Sequence, residues 1–140
     1  MTTIAIINEK GGAGKTTTAV NLAAAWADMG KSVLLVDFDP QASATHHVGL
    51  APDASELLAA LLTGKLATED TAHGFEIVKG GRQLAKAEAT IDSSLAVLRL
   101  KRALEGLPHD IILIDCPPTL GFLTESALAA TDKVLVPLEP

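Results

Sequence analysis

The apolar positions of this chain switch repeatedly between the period of a strand and that of a helix. Residues 3–7 are short, β-branched and apolar, and read as a buried strand. From Thr16, the residues Ala19, Leu22, Ala23 and Trp26 recur at helical spacing as far as residue 29, and Gly30 is placed to cap the last turn. A second strand, residues 33–36, empties into Asp37-Phe38-Asp39-Pro40-Gln41. Residues 41–66 read as mostly helical, with Leu57, Leu58, Leu61 and Leu62 as the buried stripe and Gly64 as the stop. Residues 75–78 form a short third strand before a loop around Gly80-Gly81-Arg82. Residues 91–107 read as a helix packing through Leu95, Leu98 and Ala103, with Arg99, Lys101 and Arg102 on a solvated face. The most apolar strand, residues 111–114, ends abruptly at Asp115-Cys116-Pro117-Pro118; a helix over 120–130 and a strand over 134–136 follow.

Strands alternating with helices, through connections too short for hairpins between neighbours, predict an α/β fold: a three-layer parallel β-sheet with helices on both faces. With no internal repeat or composition break, residues 1–140 form a single domain. The last strand has no helix after it to cover it, which leads us to expect the front part of a longer domain.

Composition sharpens this. Of the 140 residues, 48% are hydrophobic but only 3% aromatic, with no tyrosine, so the core must be aliphatic and few rings remain to stack on nucleic-acid bases. Eleven basic against seventeen acidic residues give a net charge of −6, which argues against this stretch alone being a strong binder of DNA or anionic membranes. The single cysteine, Cys116, cannot form an internal disulfide and reads as a small buried filler; the expected compartment is the cytosol.

Chemistry concentrates in Glu9-Lys10-Gly11-Gly12-Ala13-Gly14-Lys15-Thr16-Thr17, between the first strand and the first helix. Glycines lacking Cβ let successive N–H groups converge on phosphate oxygens, and the helix beginning at Thr16 adds its unpaired N–H groups and dipole. Lys15 supplies an ammonium for the β and γ phosphates, and Thr16 a hydroxyl for a phosphate-bound Mg²⁺. The usual pattern G-x-x-x-x-G-K-[ST] requires glycine at position 9; this chain has Glu9 there, and gains Lys10 within the loop. Asp37 and Asp39 lie at the C-terminal end of a strand, where open α/β sheets place their crevice. Asp115 ends an apolar strand, as a carboxylate that supports Mg²⁺ does. As alternatives, Asp37 and Asp39 serve as turn or cap residues before Pro40, and Lys10 as a solvated loop lysine. Adjacent His46 and His47 do not share a helix face and have no flanking cluster, which argues against a metal site there.

The segments Lys10-Gly11-Gly12-Ala13-Gly14-Lys15-Thr16, Val36-Asp37-Phe38-Asp39-Pro40-Gln41 and Ile114-Asp115-Cys116-Pro117-Pro118 together resemble the three motifs of the ParA/MinD family of deviant Walker A P-loop ATPases. The closer similarity is to its ParA, Soj-like partition branch, through Pro40-Gln41 and residues 117–140. The resemblance covers essentially this whole chain but only the N-terminal half to two-thirds of a usual family domain. It implies that ATP and Mg²⁺ are the cofactors and that residues 10–17 (Lys10, Gly11, Gly12, Ala13, Gly14, Lys15, Thr16 and Thr17) bind the nucleotide. Thr16, Asp37 and Asp115 serve the metal, and Lys10, Lys15 and Asp39 serve catalysis. In this reading Lys10 reaches the partner's phosphates across a nucleotide-sandwich homodimer, Asp39 orients the attacking water, and Pro117-Pro118 open a switch segment. The implied protein is a nucleoid-associated, cytoplasmic ATPase that binds nonspecific DNA as a dimer and is stimulated by a ParB-type partner. No membrane is expected. Alternatives are a MinD-like membrane-associated ATPase and a nucleotide-binding fragment that does not hydrolyse.

Overall fold

A computed structural model describes residues 1–8 and 14–138 of the chain. Its elements in order are β1 (Thr2–Ile6), α1 (Lys15–Asp28), β2 (Val33–Asp37), α2 (Ser43–His47), α3 (Ser55–Thr63), β3 (Glu69–Asp70), β4 (Glu76–Val78), α4 (Gln83–Thr90), α5 (Ser93–Leu104), β5 (Ile111–Asp115), α6 (Phe122–Ala129) and β6 (Lys133–Leu135). The six strands form one sheet in the order β3-β4-β2-β5-β1-β6. All pairings are parallel except that of β3 with β4.

Strand side chains alternate between faces, so a central strand that is apolar throughout must be covered on both. β2 is buried at every position. On one face Leu34, Val36, Ile112 and Ile114 pack with Leu57 and Leu61 of α3, Leu84 of α4, Leu100 and Leu104 of α5, and Leu123 of α6. On the other, Leu35, Ile77 and Leu113 pack with Ala19, Val20 and Ala23 of α1 and Ala44 of α2. The expected three layers are present, and alanines on α1 let that helix lie close to the sheet.

Four expectations change. The helix expected over 41–66 is two helices, α2 and α3, parted by residues 48–54, where Gly49 at φ 82° and Pro52 interrupt the helical run. β3 is a two-residue polar, exposed edge strand, which no apolar alternation announces, and it makes the sheet mixed. α4 fills residues 83–90, a stretch to which no element is assigned from the sequence, because only Leu84 and Ala87 mark its buried side. The helix expected over 91–107 is α5, shorter at both ends. Asp92 caps its N-terminus by accepting from the Ser94 N–H at 3.0 Å. Among its described side chains the core face is Ala96, Leu100, Ala103 and Leu104, whereas Leu98, expected inside, is 62% exposed; the side chain of Leu95, also expected inside, lies outside the described ones. Leu62 of α3 likewise turns outward, at 56% exposure.

Inserting β5 between β1 and β2 matters most for the site. In the register Ile6 lies beside Asp115, and Asp115 beside Asp37. The ends of three adjacent parallel strands therefore open together towards the N-terminus of α1.

Candidate nucleotide site

Gly14 precedes α1 with φ 77°, a left-handed conformation that glycine adopts without strain. Among the described residues no side chain caps this helix and no acidic residue lies in its first turn, so its positive end is left for an anion. Lys15 and Thr16 occupy that first turn. The Lys15 Nζ reaches Oδ1 of Asp115 at 2.7 Å, and the Thr16 hydroxyl donates to Oδ2 of the same carboxylate at 2.9 Å. Residues a hundred positions apart in the chain are thus joined at one carboxylate, because β5 lies beside β1. Thr17 is exposed on the same turn. Lys10, Gly11, Gly12 and Ala13 lie outside the described residues.

Asp39 also approaches Lys15, with Oδ2 3.8 Å from Nζ. Its Oδ1 accepts from the Gln41 N–H at 2.9 Å and its carbonyl from the Ala42 N–H at 2.9 Å, so the carboxylate also organises its own turn. The turn brings Ala42 to φ 55°, the one non-glycine positive φ among the described residues. Asp37 is fully buried, and among the described residues it forms no ion pair with Lys15. Its Oδ2 accepts from both the N–H and the hydroxyl of Thr45, at 2.8 and 2.6 Å. Its Oδ1 has no hydrogen-bond partner among the described residues.

Burial pushes the Asp37 carboxyl up to about 7; the Thr45 bonds oppose this, and the charges of Asp115 and Asp39 add to it. Asp115 is also raised, again by burial first, against the opposing pull of Lys15 and Thr16. Burial raises the Cys116 thiol to about 12, consistent with an inert filler. Among the described residues, two carboxylates, those of Asp39 and Asp115, share the Lys15 ammonium, and Asp37 lies buried beside Asp115, so the site favours an added cation. Its donors, a hydroxyl and carboxylate oxygens, are the hard ligands that Mg²⁺ takes together with phosphates and water. The Thr16 hydroxyl fits such an ion as a ligand, and Asp115, hydrogen-bonded to Thr16, fits as the carboxylate that supports it. Asp37, committed to Thr45 through one oxygen, fits as a neighbour that tunes the charge of Asp115.

Thr45 and Gly80 are the members that the sequence did not announce. Neither lies in a recognisable motif, and their bond, from Gly80 N–H to Thr45 Oγ1 at 2.9 Å, spans 35 residues. His46 and His47 are exposed on α2. Among the described residues no helix is long and apolar enough to cross a membrane.

Comparison with known proteins finds a family model, described as AAA domain, that matches residues 1–140. The sporulation initiation inhibitor protein Soj of Bacillus subtilis is 43% identical over 145 residues, covering 97% of this chain and 57% of Soj. The chromosome-partitioning ATPase Soj of Thermus thermophilus is 44% identical over 139 residues, covering 97% of this chain and 54% of that protein. Cobyrinic acid a,c-diamide synthase from Mycobacterium smegmatis, solved with bound ATP analog and magnesium, superposes with a TM-score of 0.89 at 38% identity, over 99% of this chain and 60% of that one. The chain thus spans little more than half the length of the curated relatives it matches.

Proposed function

We propose, because this chain belongs to the AAA domain family through its ParA-type, Soj-like members, that it binds Mg-ATP and hydrolyses it as a partition ATPase. The observation that carries the proposal is the convergence of Lys15, Thr16, Asp39 and Asp115 at the uncapped start of α1.

In this reading the Lys15 ammonium leaves Asp115 for the β and γ phosphates of the nucleotide, and the N–H groups of the first turn hold the same oxygens. Thr16 and Asp115 then hold Mg²⁺, Thr16 directly and Asp115 through its hydrogen-bonding shell. When bound, Mg²⁺ would supply positive charge against the negative charge that shifts during phosphoryl transfer. Asp39 keeps Oδ1 on its own turn and presents Oδ2 towards the phosphates, where it orients the attacking water. Lys10 adds a second positive charge from a partner subunit, and Gly11, Gly12, Ala13, Gly14 and Thr17 complete the cradle. Asp37 links the end of β2 to α2 and so couples the Asp39 turn to the metal site.

The behaviour of the whole protein that goes with this reading is ATP-dependent self-association, nonspecific DNA binding by the dimer, stimulation by a ParB-type partner and a nucleoid-associated, cytoplasmic location. The name of the Thermus thermophilus relative, a chromosome-partitioning ATPase, supports partitioning, and the magnesium and ATP analog of the synthase structure support the cofactors.

The test is nucleotide binding and turnover by the intact protein and two variants. Lys15→Ala should lose ATP binding, whereas Asp39→Ala should bind ATP and hydrolyse at less than a tenth of the parent rate. Unchanged turnover in Asp39→Ala would remove its catalytic assignment. Undiminished ATP affinity in Lys15→Ala would refute the site itself.

A further inference from the structure

We propose that Thr45 is a positioning residue for Asp39, acting with Gly80 as a clamp on the loop after β2; the proposal rests on the hydrolytic reading above. The Thr45 side chain is fully buried and its hydroxyl is used twice. It donates to Oδ2 of Asp37 at 2.6 Å and accepts from the Gly80 N–H at 2.9 Å. A second bond to the same carboxylate oxygen comes from the Thr45 N–H, at 2.8 Å. One oxygen atom thereby joins the end of β2, the helix α2 and the loop between β4 and α4.

Gly80 is the other jaw. A Cβ built there would lie 2.7 Å from the carbonyl oxygens of both Asp37 and Asp39 and 2.8 Å from the Asp37 Cγ. The loop from β4 therefore rests directly on the backbone that carries Asp39, and only a residue without a side chain permits it. Beyond the clamp, the Gly80 carbonyl accepts from the Asp53 N–H at 3.0 Å, which ties the same loop to the chain entering α3. The turn it braces holds the strained Ala42, which shows that its surroundings hold the turn in place.

Among the described residues, neither Thr45 nor Gly80 makes a hydrogen bond to Lys15, Thr16 or Asp115. Asp39 Oδ2 faces Lys15, whereas Thr45 reaches Asp37 and Gly80. The clamp sets where the Asp39 backbone sits, and hence where its carboxylate meets a water. Hydrolysis is sensitive to such placement: a displacement of about 1 Å can lower a rate by ~10²-fold. Ground-state nucleotide binding, carried by Lys15, Thr16 and the start of α1, is not.

The experiment compares Thr45→Val, which keeps the shape and removes both hydroxyl bonds, with Thr45→Ser, which keeps the hydroxyl, in the intact protein. The expected result is a fall in kcat of roughly 10- to 100-fold in Thr45→Val with KM within about threefold of the parent. Thr45→Ser should restore kcat to within about threefold of the parent. If Thr45→Val does not fold, Thr45→Cys, a similar volume with a weak donor and acceptor, takes its place with the same expected loss. A parental kcat in the hydroxyl-free variant, or equal losses of kcat in it and in Thr45→Ser, overturns the proposal. Should the parent protein itself show no ATP turnover, the functional reading fails, and the clamp is then read by amide hydrogen exchange. Faster exchange at Gln41 and Ala42 in the hydroxyl-free variant but not in Thr45→Ser, with β5 unaffected, supports the clamp; identical exchange in both refutes it.

Discussion

Lys15 does two jobs in this geometry, and the one it performs without nucleotide can be measured as stability. The Asp115 carboxylate is completely buried, and Lys15, with 11% of its side chain exposed, lies 2.7 Å away. Replacing Lys15 with Met keeps the length of the side chain but leaves a buried carboxylate facing one hydroxyl. Removing one partner of a buried ion pair typically destabilises by about 3–5 kcal/mol. The Thr16 hydroxyl still donates to Oδ2, and the ammonium retains some contact with water, so the expected loss is about 2–4 kcal/mol. Asp115→Asn removes the charge while keeping an oxygen for Thr16. The double variant should therefore recover much of the loss, with a coupling of roughly 2 kcal/mol between the two positions. The assay is urea unfolding of the parent, both single variants and the double variant of the intact protein, without nucleotide and in the presence of a chelator. Additivity of the two substitutions within about 0.5 kcal/mol would refute the idea that Lys15 neutralises Asp115 in the empty site.

Three further expectations follow from packing, strain and charge. Ala42→Val places a β-branched, larger side chain at φ 55° in a buried turn and should destabilise by about 2 kcal/mol or more in thermal or urea unfolding; a neutral result would show that the turn relaxes freely. Leu100→Ala should lose about 2–5 kcal/mol, because its side chain is fully buried, whereas Leu98→Ala, on the same helix but largely exposed, should stay within about 0.5 kcal/mol. Glu76 is held below the usual carboxylate range, first by the Thr68 hydroxyl and then by His109, whose Nε2 lies 2.6 Å from Oε2. A carboxyl depressed in the folded state stabilises it above the unfolded value, and this stability is lost as pH falls below 4.5 through the folded value. Glu76→Gln should accordingly show a shallower loss of stability over that acid range, and a slope equal to the parent's would contradict the assignment.

The local arithmetic of the chain was sufficient for its architecture. Continuous apolar runs at residues 3–7, 33–36 and 111–114 can be buried only in a covered sheet, and the alanine-rich helical repeat after Gly14 can lie only on its face. For the same reason, the glycine loop, Lys15, Thr16 and the acidic strand ends were visible as parts of one kind of chemistry. Sequence periodicity failed where apolar content was low or doubled. β3 has no buried residue to mark it, α4 only two, and the leucines of α3 and α5 were too numerous for spacing to say which of them face outward.

Tertiary structure decided which acids meet which partners. Asp37 and Asp39 are two residues apart and equal as sequence, yet one is sealed against Thr45 and the other faces Lys15. That division arises from strand order: β5 between β1 and β2 brings Asp115 to Lys15 and Thr16, and β4 on the far side of β2 brings Gly80 onto the Asp39 loop. Contacts of this kind are set by how the sheet is threaded, and a periodic pattern, which reports only the neighbours along one element, carries no trace of them.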